Sequence, residues 1–380
     1  MKIASFLFER NSFCREINTD GLLYDEAELV IGFGLKDLVT NKSNFKKIKE
    51  KFPNATLVLC SSAGEIYHDT VFNNSISLIA ITFTTTLVKT FKVNGKEFNS
   101  SFDAGAALIK KFPKSELKLV MVFSDGGIVN GSELVKGINA FKGANILVTG
   151  GLAGDGTNFN ETVVGLNQLP KSGSIVGIGF YGNQLQVSHG SMGGWESFGL
   201  ERIVTKASGN ILYKIDGKNV LELYKSYLGK YSEKLPGSAL LFPLSIHSEK
   251  ESKPIVRTIL SIDEENQSMV FAGDIPEGSR VRFMRSNFDR LIDAASQAAS
   301  ACLEMNNFKP KLALLISCVG RKLVLDNRTE EEIEVVSEIL GEETIISGFY
   351  SYGELSPLRP MEDCVLHNQT MTITCLSEID

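Results

Sequence analysis

The chain has 380 residues, more than one ordinary hydrophobic core holds and enough for two lobes. Its net charge is −6 and its Lys and Arg residues are scattered, which excludes the basic patch typical of nucleic-acid-binding proteins. No apolar run approaches the roughly 20 residues that span a membrane, and the N-terminal apolar stretch is too short for a signal peptide. We therefore expect a cytoplasmic protein that binds neither nucleic acid nor membranes.

Over the first 160 residues, short apolar runs such as KIASFLF, ISLIAITF and LKLVMVF alternate with helical patterns such as SNFKKIKEKF and GSELVKGINAF. From about residue 161 to 215, short runs separated by Gly and Asn predict an antiparallel meander. A helix follows, for which Asp216 is the expected N-cap. The clearest helical pattern, SNFDRLIDAASQAASACLEM, comes after four further strands and has Ser286 as its expected cap.

These elements predict a mixed α/β fold with two related lobes, each with mixed sheets flanked by helices. We place the domain boundary between residues 215 and 216, which gives domains of 1–215 and 216–380. The composition shows no Pro- or Ser-rich linker at any point, so the lobes are expected to pack together.

One small unit recurs: an apolar strand followed by a turn of Ser, Gly and a charged residue. It occurs as LVLCSSAGEI, LVMVFSDGGI, ILVTGGLAGDG, LALLISCVGRK and TIISGFYSYGEL. Two of these turns share the pattern Ser-x-Gly-Glu, ending at Glu65 and Glu354. Open α/β sheets bind ligands at the carboxyl ends of their strands, where small residues let a ligand approach the backbone. Several of these turns are therefore candidates for lining one site, although Gly is also common in ordinary tight turns.

Two enzyme motifs match only in part. GIGFYG has the spacing of a dinucleotide fingerprint, but the strand-like NQLQVSHG follows it instead of a helix, so we interpret the segment as a hairpin. Ser62, Ser124 and Ser351 each lack the earlier glycine of a GxSxG nucleophile elbow. The sequence does not place a histidine beside any of these serines, so a serine hydrolase is the weakest of the functional alternatives.

The charged residues near these turns have two interpretations. Glu65 and Glu354 suit a carboxylate pair for acid–base chemistry or for holding a ligand amine, or each bonds to the backbone of its own turn. Arg321 follows a predicted strand and suits either bidentate binding of a ligand carboxylate or a structural ion pair.

The remaining candidates are isolated. The six cysteines and four histidines do not cluster, so no disulfide framework or metal site is predicted. The single tryptophan, Trp195, is most simply a packing residue. His367 precedes a predicted strand and has either a packing role or, if haem is bound, the role of an axial ligand.

Several segments resemble a known family. SSAGEI, GGLAGDG, GSIVGIGFYG and LERIVTKASGNILYKIDGK resemble the N-terminal FIST domain, and SCVGRKLVL, GFYSYGELSPL and HNQTMTITCL resemble the C-terminal FIST domain. The resemblance covers nearly the whole chain in the order of the family. It implies a sensory protein that binds a small ligand such as an amino acid, and some family members are described as haem-binding nitric oxide sensors. It also implies an output through a separate signalling protein, such as a histidine kinase or a cyclic-di-GMP enzyme.

The leading hypothesis is a non-enzymatic cytoplasmic sensor that binds a small polar metabolite in a cleft between the related lobes. The alternatives are a haem sensor and, less favoured, a serine-type hydrolase. The ligand-binding residues we expect are Ser61, Ser62, Glu65, Gly151, Asp155, Arg321, Tyr350, Ser351, Glu354 and Asn368.

Overall fold

The computed structural model describes residues 1–235, 237–248, 254–306 and 308–379. Its strands are β1 Lys2–Glu9, β2 Ser12–Ile17, β3 Leu29–Gly34, β4 Thr56–Ser61, β5 Glu65–Tyr67, β6 Thr70–Phe72, β7 Ile76–Thr82, β8 Leu87–Asn94, β9 Leu117–Ser124, β10 Leu147–Leu152, β11 Val164–Leu166, β12 Ser174–Tyr181, β13 Leu185–Met192, β14 Glu196–Ser208, β15 Ile211–Ile215, β16 Lys218–Asn219, β17 Leu244–His247, β18 Ile255–Arg257, β19 Ile259–Asp263, β20 Ser268–Phe271, β21 Arg280–Arg285, β22 Leu312–Cys318, β23 Ile345–Ser351, β24 Gly353–Pro357, β25 Cys364–His367 and β26 Met371–Glu378. Its α-helices are α1 Lys36–Val39, α2 Lys42–Lys51, α3 Ser101–Lys110, α4 Gly131–Asn139, α5 Val220–Leu228, α6 Phe288–Asn306, α7 Val319–Leu325 and α8 Glu331–Leu340.

The predicted mixed α/β, two-lobed fold with helix-flanked mixed sheets is confirmed. The larger lobe contains three six-stranded sheets. Their strand orders are β11-β4-β3-β7-β1-β2, β25-β24-β10-β9-β12-β8 and β13-β26-β22-β23-β5-β6. Strands from both halves of the chain therefore share the second and third sheets.

The three sheets contain one repeated four-stranded unit. In each unit two parallel strands are joined through a helical connection. A third strand pairs antiparallel with the first strand of this parallel pair. The strand that comes first in the chain pairs antiparallel with the other edge of the third strand. Unit I is β1, β3, β4 and β7; unit II is β8, β9, β10 and β12; unit III is β13, β22, β23 and β26. The relationship within the larger lobe is thus threefold.

The units also exchange strands in a closed ring. Strand β5, which follows the parallel pair of unit I, pairs with β23 of unit III. Strand β24 follows the parallel pair of unit III and pairs with β10 of unit II. Strand β11 follows the parallel pair of unit II and pairs with β4 of unit I. Each unit therefore completes the sheet of a neighbour, so the three cannot separate without breaking strand pairs.

An apolar core fills the space between the three sheets. It contains buried side chains from every unit, including Ile31, Met121 and Leu314. Within this core the ring of Phe33 stacks on the ring of Phe349, with centroids 4.6 Å apart. Phe33 also makes an edge-to-face contact with Phe123, with ring centroids 5.4 Å apart. Such aromatic contacts add to the area that the rings bury and fix the relative positions of the units.

The smaller lobe is an eight-stranded antiparallel sheet, β18-β17-β21-β14-β15-β20-β19 with β16 beside β15, and helix α5 packs on it. It is inserted between β13 and β22 of unit III. The antiparallel strands predicted over 161–215 are present, and they are distributed over all four sheets. The predicted boundary at residues 215 and 216 lies between β15 and β16 and stays a prediction.

Three local predictions were wrong. Asn219, not Asp216, caps α5, because its Oδ1 accepts from the backbone N–H groups of the first turn. Asn287 replaces Ser286 as the cap of α6, since its Oδ1 accepts from Arg290 N at 2.9 Å. The GIGFYG segment is a strand, as expected, but β12 and the following β13 join different sheets and do not form a hairpin.

Candidate functional site

The turns that follow β4, β10 and β23 meet at one end of the larger lobe. Each turn follows the second parallel strand of its unit, and the three turns contact one another. Backbone hydrogen bonds join each turn to a neighbour, from Ala63 N to Tyr350 O at 2.8 Å, from Gly154 N to Ser61 O at 3.0 Å and from Tyr352 N to Leu152 O at 3.2 Å. The predicted convergence of strand-end turns is therefore present in the structure.

Glu65 joins its own turn to Ser75, the residue that immediately precedes β7. The Ser62 hydroxyl donates to Oε1 at 2.5 Å, and the Ser75 hydroxyl and N–H donate to Oε2 at 2.9 and 3.2 Å. The side chain is buried, and this burial raises the pKa of Glu65 to about 7, although the hydrogen bonds oppose the shift. Both of its oxygens are occupied by groups of unit I.

Glu354 repeats this arrangement in unit III. The Ser351 hydroxyl donates to Oε1 at 2.7 Å, and the Thr370 hydroxyl and N–H donate to Oε2 at 2.9 and 3.2 Å. Burial raises the pKa of Glu354 to about 8. In both units the glutamate of the Ser-x-Gly-Glu turn therefore accepts hydrogen bonds from its own turn and from the residue that immediately precedes the antiparallel strand, which is β7 in unit I and β26 in unit III. We call this arrangement a clasp.

Asp155 occupies the corresponding position in unit II, but no serine precedes it at the clasp position. Its Oδ2 lies 3.7 Å from Lys36 Nζ and 3.4 Å from Glu161 N. The third turn is therefore tied to Lys36 of unit I and to a backbone N–H of its own unit, without a hydroxyl clasp.

Arg321 and Tyr350 share a fully buried carboxylate, Glu332. Arg321 Nη2 lies 2.7 Å from Glu332 Oε2, and the Tyr350 hydroxyl donates to Oε1 at 2.7 Å. Arg321 also donates to the carbonyl oxygens of Gly193 at 2.6 Å and Leu291 at 2.7 Å. This network joins α7, α8 and β23 and leaves the guanidinium surrounded by protein groups.

Of the other expected residues, Ser61 and Gly151 contact strands that are exchanged between units. Ser61 Oγ accepts from Val163 N at 3.0 Å, next to β11. Gly151 pairs with Glu354 across β10 and β24. Asn368 is buried, and its Oδ1 has no hydrogen-bond partner among the described residues.

A small cavity opens where the three units meet, with a volume of about 190 Å³. We call it the strand-end pocket; its lining is Leu35, Ser62, Ala63, Gly64, Asn73, Gly156, Thr157, Val319, Lys322 and Leu323. A second cavity of about 360 Å³ adjoins it and shares Asn73, Lys322 and Leu323. Two acids, Asp326 and Glu330, line that second cavity, so the combined space has a cationic end and an acidic end.

Lys322 is the functional candidate that sequence reasoning missed. Its Nζ donates to Ala63 O at 2.8 Å and to the Asn73 side-chain oxygen, and it lies 5.3 Å from the centre of the Tyr350 ring. No carboxylate of the described residues lies within ion-pair distance of it. Desolvation lowers the pKa of this ammonium, while the charge of Glu65 opposes the shift.

His367 does not suit haem coordination. The side chain is buried, and its Nε2 lies 2.9 Å from the carbonyl oxygen of Ser356, so the nitrogen that would ligate iron is already occupied. Burial lowers the pKa of His367 to about 4. The residues present therefore do not form an axial-ligand site at this position.

The strand-end serines also lack the partner of a nucleophile. Ser62 and Ser351 donate to carboxylates, and Ser124 donates to the carbonyl oxygen of Asp125. None of these hydroxyls bonds to a histidine in the part of the chain that the structure describes. Trp195 donates its indole N–H to Gln369 O at 2.9 Å, which fits the packing role expected for it.

The family models match the FIST N domain over residues 28–218 and the FIST C domain over residues 221–357. The chain belongs to the FIST family. FIST domains are sensory domains that bind small ligands in signalling. Within the described residues, no helix of this FIST protein is long and apolar enough to cross a membrane.

The chain is also similar to individual proteins. An uncharacterized protein of Methanocaldococcus jannaschii is 23% identical over 353 residues, which is 82% of this chain and 66% of that protein. Two structures of cyanuric acid hydrolase, one of them from A. caulinodans, align with all of this chain and with 100% and 99% of their own. Their TM-scores are 0.35 and 0.32 at 8% and 10% identity, which is too low to carry an argument about function.

Proposed function

We propose that this FIST protein is a non-enzymatic cytoplasmic sensor that binds an amino acid, or a similar small zwitterion, in the strand-end pocket and the cavity beside it. The observation that carries the proposal is the ammonium group of Lys322. It is partly desolvated, it lines the pocket, and no carboxylate of the described residues lies within ion-pair distance of it, so that Glu65 acts on its charge only from farther away. A half-buried ammonium group without a close carboxylate is costly, and an anionic ligand would reduce that cost.

The two ends of the space suit the two charges of an amino acid. Lys322 would hold the carboxylate, and Ser62 lines the same pocket, with its hydroxyl donated to Glu65. Asp326 and Glu330 line the adjoining cavity and would attract the ammonium group. A volume of about 190 Å³ around the lysine suits a small molecule, since a cavity of about 150 Å³ holds benzene and drug-sized molecules typically need about 300–1,000 Å³.

The position of the pocket provides a route from binding to signalling. Its walls come from the turn after β4 in unit I, the turn after β10 in unit II and helix α7 in unit III. A ligand there contacts all three units at once, so it stabilises the arrangement in which they are closest. A ligand shifts such an equilibrium only by its different affinities for the two states. The output would pass to a separate signalling protein, such as a histidine kinase or a cyclic-di-GMP enzyme.

Calorimetric titration of the purified protein with a panel of amino acids tests the proposal. Replacing Lys322 with Met keeps most of the length of the side chain and removes its charge. We expect at least about a tenfold weaker affinity, because a hydrogen bond to a charged group contributes about 1.5–3 kcal/mol. Lys309→Met is the matched control, since Lys309 is exposed and pairs with Glu343 on the surface. Equal affinity in both variants would contradict the assignment.

A further inference from the structure

Another cavity lies at the opposite ends of strands β9 and β10. Its volume is about 620 Å³, and it opens beside the exposed Met361. Strand β9 runs from Leu117 at this cavity to Ser124 at the strand-end turns, a distance of roughly 20 Å at the rise of an extended chain. The two spaces are therefore separate.

The walls of this cavity are mostly apolar and come from units II and III. They include Leu117, Ile146, Leu147, Leu185, Val187 and Met305. Its charged members have other roles or lie at the mouth; for example, Lys118 donates to the carbonyl oxygen of Asn183 at 2.8 Å. A volume within the usual range for small-molecule sites, with a wall in which apolar residues outnumber polar ones, has the character of a ligand pocket.

One buried polar atom in this wall has no partner. His189 is only 4% exposed, it lines the cavity, and its Nε2 makes no hydrogen bond with the described residues. Buried ring nitrogens are normally satisfied, so an orphaned one in a cavity wall indicates a missing partner. The other ring nitrogen, Nδ1, lies 3.5 Å from Ser356 Oγ.

One tautomer of this imidazole satisfies the neighbouring groups. When the Ser356 hydroxyl donates to Pro357 O at 3.2 Å, its oxygen accepts from His189 Nδ1. Nδ1 then carries the proton, and the unpartnered Nε2 of this wall residue has a free lone pair. Burial lowers the pKa of His189 to about 4, so the ring is neutral at neutral pH.

We propose that this cavity is a second binding site, for a small, mainly apolar molecule with one hydrogen-bond donor, which His189 Nε2 accepts. The apolar wall would bury the body of the ligand, and the lone pair would fix its orientation. Phenols, indoles and apolar alcohols have this chemistry.

Indole and 1-methylindole form a matched pair of probes, because they have nearly the same shape and only indole has an N–H donor. We expect the wild-type protein to bind indole about tenfold more tightly than 1-methylindole, as measured by saturation-transfer NMR and calorimetry. In His189→Leu this preference should disappear while 1-methylindole still binds. His247→Leu is the control, since His247 is exposed and outside the cavity wall.

A second variant tests the cavity without changing the buried histidine, so the test does not depend on the folding of His189→Leu. Leu147→Trp leaves His189 in place and should block both probes by filling the cavity, with the melting curve showing a folded protein. Equal affinity of the wild type for the two indoles would overturn the proposal, as would the absence of any binding. A Soret band with added haemin that requires His189 would overturn it as well, because Nε2 would then act as an iron ligand.

Discussion

Lys322 Nζ donates a hydrogen bond to the carbonyl oxygen of Ala63 at 2.8 Å, which joins helix α7 of unit III to the strand-end turn of unit I. The bond satisfies one of the three protons of the ammonium group, and the Asn73 side chain accepts another. No described carboxylate lies within ion-pair distance of this charge, and Glu65 acts on it only from farther away. The lysine is thus both a connection between units and the centre of positive charge in the pocket.

The backbone conformation of Gly64, together with this contact, favours glycine at position 64. Its φ is +143°, which side chains of L-residues rarely adopt, and a Cβ there would collide with the Lys322 side chain. We expect Gly64→Ala to destabilise the protein by about 2 kcal/mol or more and to weaken amino-acid binding. Denaturant unfolding and calorimetry would measure the two effects.

Gly156→Ala is the control for that variant. Gly156 also has a positive φ, of +57°, and it lines the same pocket, but a Cβ there meets nothing within 4 Å. We expect it to cost only about 1 kcal/mol from backbone strain. If both alanine variants lost the same stability and affinity, the contact with Lys322 would not explain the glycine.

The two clasp glutamates should make stability depend on pH. Their folded pKa values, about 7 for Glu65 and about 8 for Glu354, lie above the unfolded value of about 4.3. The protonated forms therefore stabilise the fold: this contribution is complete below about pH 4 and is lost as the pH rises through 7 and 8. The free energy of unfolding of the wild type should fall across this window.

Substituting glutamine isolates that effect. In Glu354→Gln the side chain stays neutral at every pH, so the difference in unfolding free energy between variant and wild type should grow with pH in favour of the variant. The change is on the order of 3 kcal/mol between pH 5 and 9, measured by urea unfolding at several pH values. A difference that is constant over the range would show that Glu354 is ionised in the folded protein throughout.

Arg321 is expected to be essential to the fold. Arg321→Met leaves the buried Glu332 carboxylate without its cation, and breaking such a pair costs about 3–5 kcal/mol. The double variant Arg321→Met, Glu332→Gln removes both charges and should recover part of this loss. Thermal and urea unfolding of the two variants would test the coupling.

The same double variant separates a structural role from ligand binding. If Arg321 acts only through Glu332, the folded double variant should bind amino acids about as tightly as the wild type. A large loss of affinity in a stably folded double variant would instead support the bidentate contact with a ligand carboxylate that the sequence alone suggested.

Much of this arrangement could be predicted from sequence because the strand-end turns are short, local patterns. The Ser-x-Gly-Glu repeat identified two corresponding positions, Glu65 and Glu354, and the structure gives both the same hydrogen-bond pattern. Asp155 was expected at the site, but its correspondence to these two glutamates was not recognised, since it lacks the preceding serine and takes a lysine partner from another unit. The strand Leu29–Gly34 was not singled out either, so the parallel pair of unit I was incomplete.

The roles of the charged residues depended on distant partners. Arg321 looked like a ligand contact because Glu332, eleven residues later, gave no local signal that it would be buried beside it. Lys322 looked like an ordinary charged neighbour of Arg321, and only the folded chain shows that unit I desolvates it. Exchange of β5, β11 and β24 among units is likewise a long-range pairing that local periodicity does not encode.

Calorimetric titration of amino acids into the wild type, Lys322→Met and Lys309→Met is the decisive measurement. We expect saturable binding of at least one amino acid to the wild type and to Lys309→Met, and at least about tenfold weaker binding to Lys322→Met, whose melting curve should still show a folded protein. Binding that is the same in all three proteins would contradict it, as would no binding of any amino acid to the folded wild type.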